Sequence, residues 1–169
     1  LENKLPNQEI LEKRFDFISD KTLRTNVVIY FRYICFLVIM SEDLELPGPI
    51  LFSIYKDLIL YTASVVEASL HYAVASYLEA GLVSENDIMP FEWKSKTVVT
   101  LYTISVDEKV CGVTQHRKPQ KFANKTQLQT VIAAAVSAKI LTKQMGKLAN
   151  IIKDQRNKIH LSALTKPDD

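Results

Sequence analysis

The chain has 169 residues, 47% of them hydrophobic and 24% charged, which suits one ordinary domain with a core large enough to fold unaided. Its 4 glycines and 6 prolines form no repeat or biased tract, which excludes a collagenous, mucin-like or long disordered chain. A net charge of +2 is too small to signal a polyanionic partner by itself, so the placement of charge matters more than its total.

Residues 7–18, "NQEILEKRFDFI", open with an asparagine and space Ile10, Leu11, Phe15 and Ile18 as one face of a short amphipathic helix. Residues 21–41 continue as a second helix. Its apolar run "VVIYFRYICFLVIM", 27–40, carries Arg32 in its middle and is shorter than the ~20 residues a spanning helix needs. The run reads as a buried helix. It is followed by the acidic "SEDLE", which together with its position argues against a secretory signal, so the expected location is cytoplasmic, with no membrane partner.

"LELPGPI" ends that helix, because two prolines around a glycine remove backbone donors and let the chain turn. The third helix, about 50–81, is apolar on most sides and closes at Gly81, and it is expected to be central. Lys56, Glu67 and His71 share one narrow sector of it as a polar stripe, in which Glu67 and His71, four apart, are expected to satisfy one another. Residues 96–118 change to Val, Thr, Ile and Tyr around "VDEK" and predict a β-hairpin, with Trp93 as a core anchor beside it and His116 in an exposed loop.

The last helix is predicted over 124–161, capped by Asn124 or Thr126 and bent or split at Gly146. Leu148, Ile152 and Ile159 line one seam, with Arg156 and His160 beside it and Asn157 pointing further away. Two basic runs stand out. One is "HRKPQK" at 116–121, and the other is the series Lys139, Lys143, Lys147, Lys153, Arg156 and Lys158, several of which share a helical side. A solvated helix face explains the second run as simply as a ligand does. Cys35 and Cys111 sit in apolar settings that suit small buried hydrophobes, and no Cys-x-x-Cys or His-Glu-x-x-His spacing supports a metal, so neither metal nor cofactor is expected.

"DQRNKIH" at the end of a long helix, with the earlier helix "YTASVVEASLHYAVASYL", resembles the HEPN superfamily (higher eukaryotes and prokaryotes nucleotide-binding). The resemblance implies a mainly α fold, a bundle of about four to five helices, here one domain over 1–169 with the hairpin as an insertion. It also implies a metal-independent endoribonuclease working as a homodimer, often in a toxin or defence role. Residue by residue, Arg156 matches the motif arginine, Asn157 its polar neighbour, His160 the histidine and Glu67 the acidic residue of an earlier helix. Three residues separate Arg156 from His160, against four to six in the family.

The chemistry is concrete. An imidazole titrating near ~6.5 serves as general acid or base, a guanidinium holds non-bridging phosphate oxygens, and an amide orients the phosphate or ribose. Lys153 and Lys158 are candidate binding residues beside Glu67. Expected partners are RNA or a nucleotide, a second copy of the chain, and an antitoxin or regulatory protein. Two other readings stay open. Arg156 and His160 form a polar edge with Asp154 and nearby carboxylates taking up the arginine, or the module binds RNA or nucleotide without breaking a bond.

Overall fold

In the computed structural model, which describes residues 4–159, the chain is mainly α with one β-hairpin. Six helices and two strands follow the order α1 (Gln8–Arg14), α2 (Lys21–Asp43), α3 (Gly48–Glu79), α4 (Glu85–Ile88), β1 (Phe91–Thr103), β2 (Lys109–Pro119), α5 (Leu128–Ser137) and α6 (Lys143–Lys158). Asn7 caps α1 by accepting from the Glu9 N–H at 2.8 Å, and Asp20 caps α2 through the Leu23 N–H at 3.0 Å.

Helix α3 is the element on which the rest assembles. Its 32 residues make a rod about 48 Å long, touched by α2, α5 and α6. One core gathers Leu70 and Val74 of α3 with Ile88, Met89, Leu128, Val131, Ile132, Ala134, Ala135 and Ala149. A smaller core joins Ile18, Val27 and Val65, with Tyr72 packed against it. The Tyr72 hydroxyl accepts the Ser19 N–H at 2.8 Å, pinning the turn between α1 and α2 to the rod.

The predicted final helix is two helices, and the break is not at Gly146. Helix α5 ends in a Schellman closure in which Ile140 N–H reaches Ala135 O at 2.9 Å and Lys139 N–H reaches Val136 O at 3.1 Å. That closure forces Lys139 to φ 60°, and Thr142 then caps α6 through the Met145 N–H at 3.2 Å. Gly146 has a different use. It is buried where α6 meets α5, and a Cβ there would lie 2.5 Å from Val136 Cγ2. The same closure ends α3, with Gly81 at φ 67° in the left-handed position and Leu82 N–H bonded to Tyr77 O at 3.0 Å.

The hairpin is longer than its sequence pattern suggested, and Ser105 to Glu108 form its turn. It is a two-stranded antiparallel ribbon with register shifts at Ser95/Thr97 and Thr100/Tyr102. Trp93 lies on β1 and is 67% exposed, so it anchors no core. His116 lies on β2, half-buried, and Cys111 is exposed there while Cys35 is half-buried. Trp93 and Cys111 share a reason: among the described residues no helix but the single-turn α4 packs on the ribbon, so strand residues that read as apolar have no layer to enter.

Helix α2 also differs from the buried rod expected of it. Only Val27, Val28 and Leu37 are buried, because among the described residues α3 and α1 are the elements that pack on α2 and they cover part of its circumference. Both α2 and α3 are long and apolar enough to cross a membrane by length and composition, with 17% of each apolar window buried.

The left-handed Lys139 yields a direct test. Lys139→Gly is expected to raise stability by about 1 kcal/mol, since a side chain costs ~1–2 kcal/mol in that region while glycine gives part back through its unfolded-state entropy. Urea unfolding of the two proteins measures the difference, and a loss of stability would show that the lysine stem contributes packing that outweighs its backbone strain.

Candidate functional site

Lys153, Arg156 and Asn157 stand three and four residues apart on α6, which places them as neighbours along one side of the helix. Glu67 comes from α3. Arg156 Nη1 lies 2.5 Å from Glu67 Oε2 across 89 residues of sequence, with both side chains about one third exposed. The arginine is therefore taken up by the carboxylate of the central rod and not by Asp154, which pairs with Lys153 at 3.1 Å.

These residues wall a polar cleft of about 420 Å³ whose other side is the segment 124–129, leading into α5. Asn157 lines it although α6 continues to Lys158, so an early helix end is not needed to bring the amide in. Lys158 is not among the lining residues. His160 lies outside the described residues. Three cations line it, Lys125, Lys153 and Arg156, with one carboxylate, Glu67, which Arg156 engages while Lys153 pairs with Asp154, and the remaining polar groups are amides and a hydroxyl from Asn124, Thr126, Gln127, Gln129 and Asn157. Such a wall suits a phosphate, which accepts hydrogen bonds from every one of those donors and balances the excess positive charge.

His71 does not satisfy Glu67. Its Nε2 lies 3.0 Å from the Thr126 carbonyl, an acceptor only, so Nε2 carries the proton and donates, and its ring packs against Phe122 at 5.4 Å. The loop that forms the cleft wall is fastened at three more points. Gln120 N–H donates to Pro90 O at 2.9 Å, Phe122 N–H to Glu85 Oε1 at 2.9 Å, and Ala123 N–H to Thr126 Oγ1 at 2.9 Å. Thr126 thus shapes the loop, and the residue before α5 is Gln127, which makes no side-chain cap.

Glu85 belongs to α4, a single turn held by Ser84 and Asp87. Ser84 N–H and Oγ donate to Asp87 Oδ2 at 3.0 and 2.6 Å, and these bonds hold the Asp87 carboxyl below its ordinary pKa.

Lys125 and the amides of 124–129 were not among the residues singled out from sequence. One signal for them was present: residues 1–90 hold 7 basic and 13 acidic side chains, whereas 91–169 hold 14 and 6. The modest total hides a basic second half. Among the described residues no three His, Cys, Asp or Glu side chains gather as a metal-ligand group.

Two outcomes follow. In a double-mutant cycle of Glu67→Ala and Arg156→Ala, a coupling of about 0.5–1 kcal/mol is expected by chemical denaturation, discounted for a pair that water reaches. A coupling of zero would show that the pair is unformed in solution. A folded pKa depressed below the unfolded one contributes stability above the unfolded value, which is lost as pH falls through the folded value. Asp87→Asn is therefore expected to melt below wild type at neutral pH, and the gap to close as pH drops through the depressed Asp87 titration; a gap constant from neutral to strongly acid pH would contradict it.

Comparison of the chain with protein-family models, curated proteins and solved structures finds no match.

Proposed function

We propose that the chain is a HEPN-like helical bundle that binds an RNA phosphate in the Arg156 cleft and cleaves the strand without a metal, working as a homodimer in the cytoplasm. The observation that carries the reading is the meeting of Glu67 with Arg156 in a cleft whose other charges are cationic, with Asn157 beside them. Glu67 and Arg156 are the two positions matched to the acidic residue and arginine of the HEPN pattern, and they lie on different helices.

In the reaction, the ribose 2′-oxygen attacks phosphorus and the bond to the 5′-oxygen breaks, leaving a 2′,3′-cyclic phosphate and a free 5′-hydroxyl. A base takes the 2′-proton and an acid protonates the departing oxygen. Arg156 and Lys153 stabilise the charge that builds on the non-bridging oxygens, and Asn157 orients the phosphate or ribose. His160 is assigned the proton transfer on one protomer, and its copy supplies the second. Exposed apolar surface on α6 supports a second copy: Met145 and Leu148, 50% and 56% exposed, line an apolar groove of about 300 Å³ with Val65, Val66 and Leu141.

A second reading is favoured by the histidines. Of the two that are described, His71 spends its Nε2 proton on a backbone carbonyl and His116 lies on the ribbon, away from the lining residues. A cleft lined by phosphate-binding side chains, with no imidazole among its described residues, fits a binding module for RNA or nucleotide, open to control by an antitoxin or regulatory protein.

Cleavage of RNA by the purified chain with chelator present decides between them. Wild type is expected to leave cyclic-phosphate ends, Arg156→Ala to slow the reaction by about 10²–10³, and His160→Ala by about 10²–10⁴, with sedimentation showing a dimer. Undiminished cleavage by His160→Ala would sink the mechanism, and salt-sensitive binding with no cleavage would establish the binding module instead.

A further inference from the structure

The Arg156 cleft shares Lys125, Thr126 and Gln127 with a second cleft of about 560 Å³ between the base of the β-ribbon and the start of α5. Gln120 and Lys121 line its far side together with one carboxylate, Glu92. That carboxylate is already engaged: Lys94 Nζ lies 2.7 Å from Oε1, and Gln120 Nε2 donates to Oε2 at 3.5 Å. Glu92 pairs across the ribbon with Lys118 and Lys94 pairs with His116, and residues opposite one another in a ladder share a face. Lys94 and Lys118 therefore continue the basic edge of the second cleft up the ribbon.

We propose that this second cleft and the ribbon face beyond it bind the phosphodiester backbone of the RNA strand held in the Arg156 cleft, an inference that rests on the functional reading above for its ligand. A single phosphate would use the first cleft alone. Here the cations run on from Arg156 and Lys153 through Lys125 and Lys121 to Lys118, which matches a polymer that repeats its charge along the strand. The stretch 91–125 carries 7 basic residues against 3 acidic ones, although the chain as a whole is nearly balanced. Trp93 and Arg117 oppose each other on the other face, so this track offers lysines to phosphates and no aromatic platform to bases. Its contribution is affinity and direction, independent of base sequence and weakened by salt. The role of the hairpin follows: it lengthens the site, which explains an exposed ribbon whose base is fastened to the loop that walls the first cleft.

The test uses the full chain and fluorescent 2′-O-methyl RNAs, which lack the attacking hydroxyl and so report binding without cleavage. Anisotropy titrations compare a short oligomer of about four nucleotides with one of about twelve, over a range of salt. Wild type is expected to bind the longer oligomer about tenfold more tightly, and Lys118→Gln/Lys121→Gln to lose that gain, its salt slope on the longer strand falling by about 1.4 for two lost phosphate contacts. Both lysines are exposed, so folding of the variant is checked by its unchanged circular dichroism, and Glu92→Gln, which removes the opposing charge, is expected to tighten the longer strand. Equal affinity at both lengths, or a double variant that binds as wild type does, overturns the track. Length-dependent binding without cleavage of ordinary RNA removes the ribonuclease reading and leaves the track standing. Cleavage with no effect of Lys118 and Lys121 does the reverse.

Discussion

Packing along α3 is the constraint from which the other features follow. Val65, Leu70 and Val74 are buried along the rod, and the cores are built on them, the larger on Leu70 and Val74 and the smaller on Val65. The face that meets α6 also carries Glu67, so docking α6 through Ala149 brings Arg156 to a carboxylate that is distant in sequence. Close approach of α5 and α6 needs a small residue at the contact, and Gly146 supplies it against Val136 and Ile132. Hydrophobic burial fixes the helices, and the polar cleft is what remains at the seam where α6 and the loop 124–129 cannot close completely.

The loop is where the fold invests most of its side-chain hydrogen bonds near the site. His71, Glu85 and Thr126 each satisfy a backbone group of the segment 122–126, and a loop tied in this way keeps Lys125 and the neighbouring amides in place without a strand or helix of its own. His71 is instructive because its ring is half-buried and its donor is committed. It is a fastening of the cleft wall, and its i, i+4 spacing from Glu67 brings the two to different partners.

Apolar surface is distributed unevenly. The first half of α3 and much of α2 leave Ile29, Tyr30, Val38, Ile50, Phe52 and Tyr55 exposed, and the ribbon leaves Val98, Leu101 and Tyr102 exposed. Across this helix pair the rings of Tyr30 and Tyr33 each meet Tyr61 edge to face, with centroids 5.2 and 4.7 Å apart. Burial around these rings raises the Tyr33 pKa, with Asp57 adding to the shift.

Local features were decided by the sequence itself. Helical spacing of apolar residues, the caps at Asn7 and Asp20, the proline break before α3, Gly81 at its end and the turn within "SVDE" each depend on a few adjacent residues, whose backbone preferences act at short range. Arg156 and Glu67 were legible as candidates. Their pairing, the entry of Asn157 into the cleft, the part played by segment 124–129 and the exposure of Trp93 were decided only in three dimensions, because each depends on which element packs against which. The break after Ser137 shows the boundary between the two. Its closure places a lysine where a glycine would have announced it, so the backbone bonds that require positive φ at Lys139 are seen only in the folded chain.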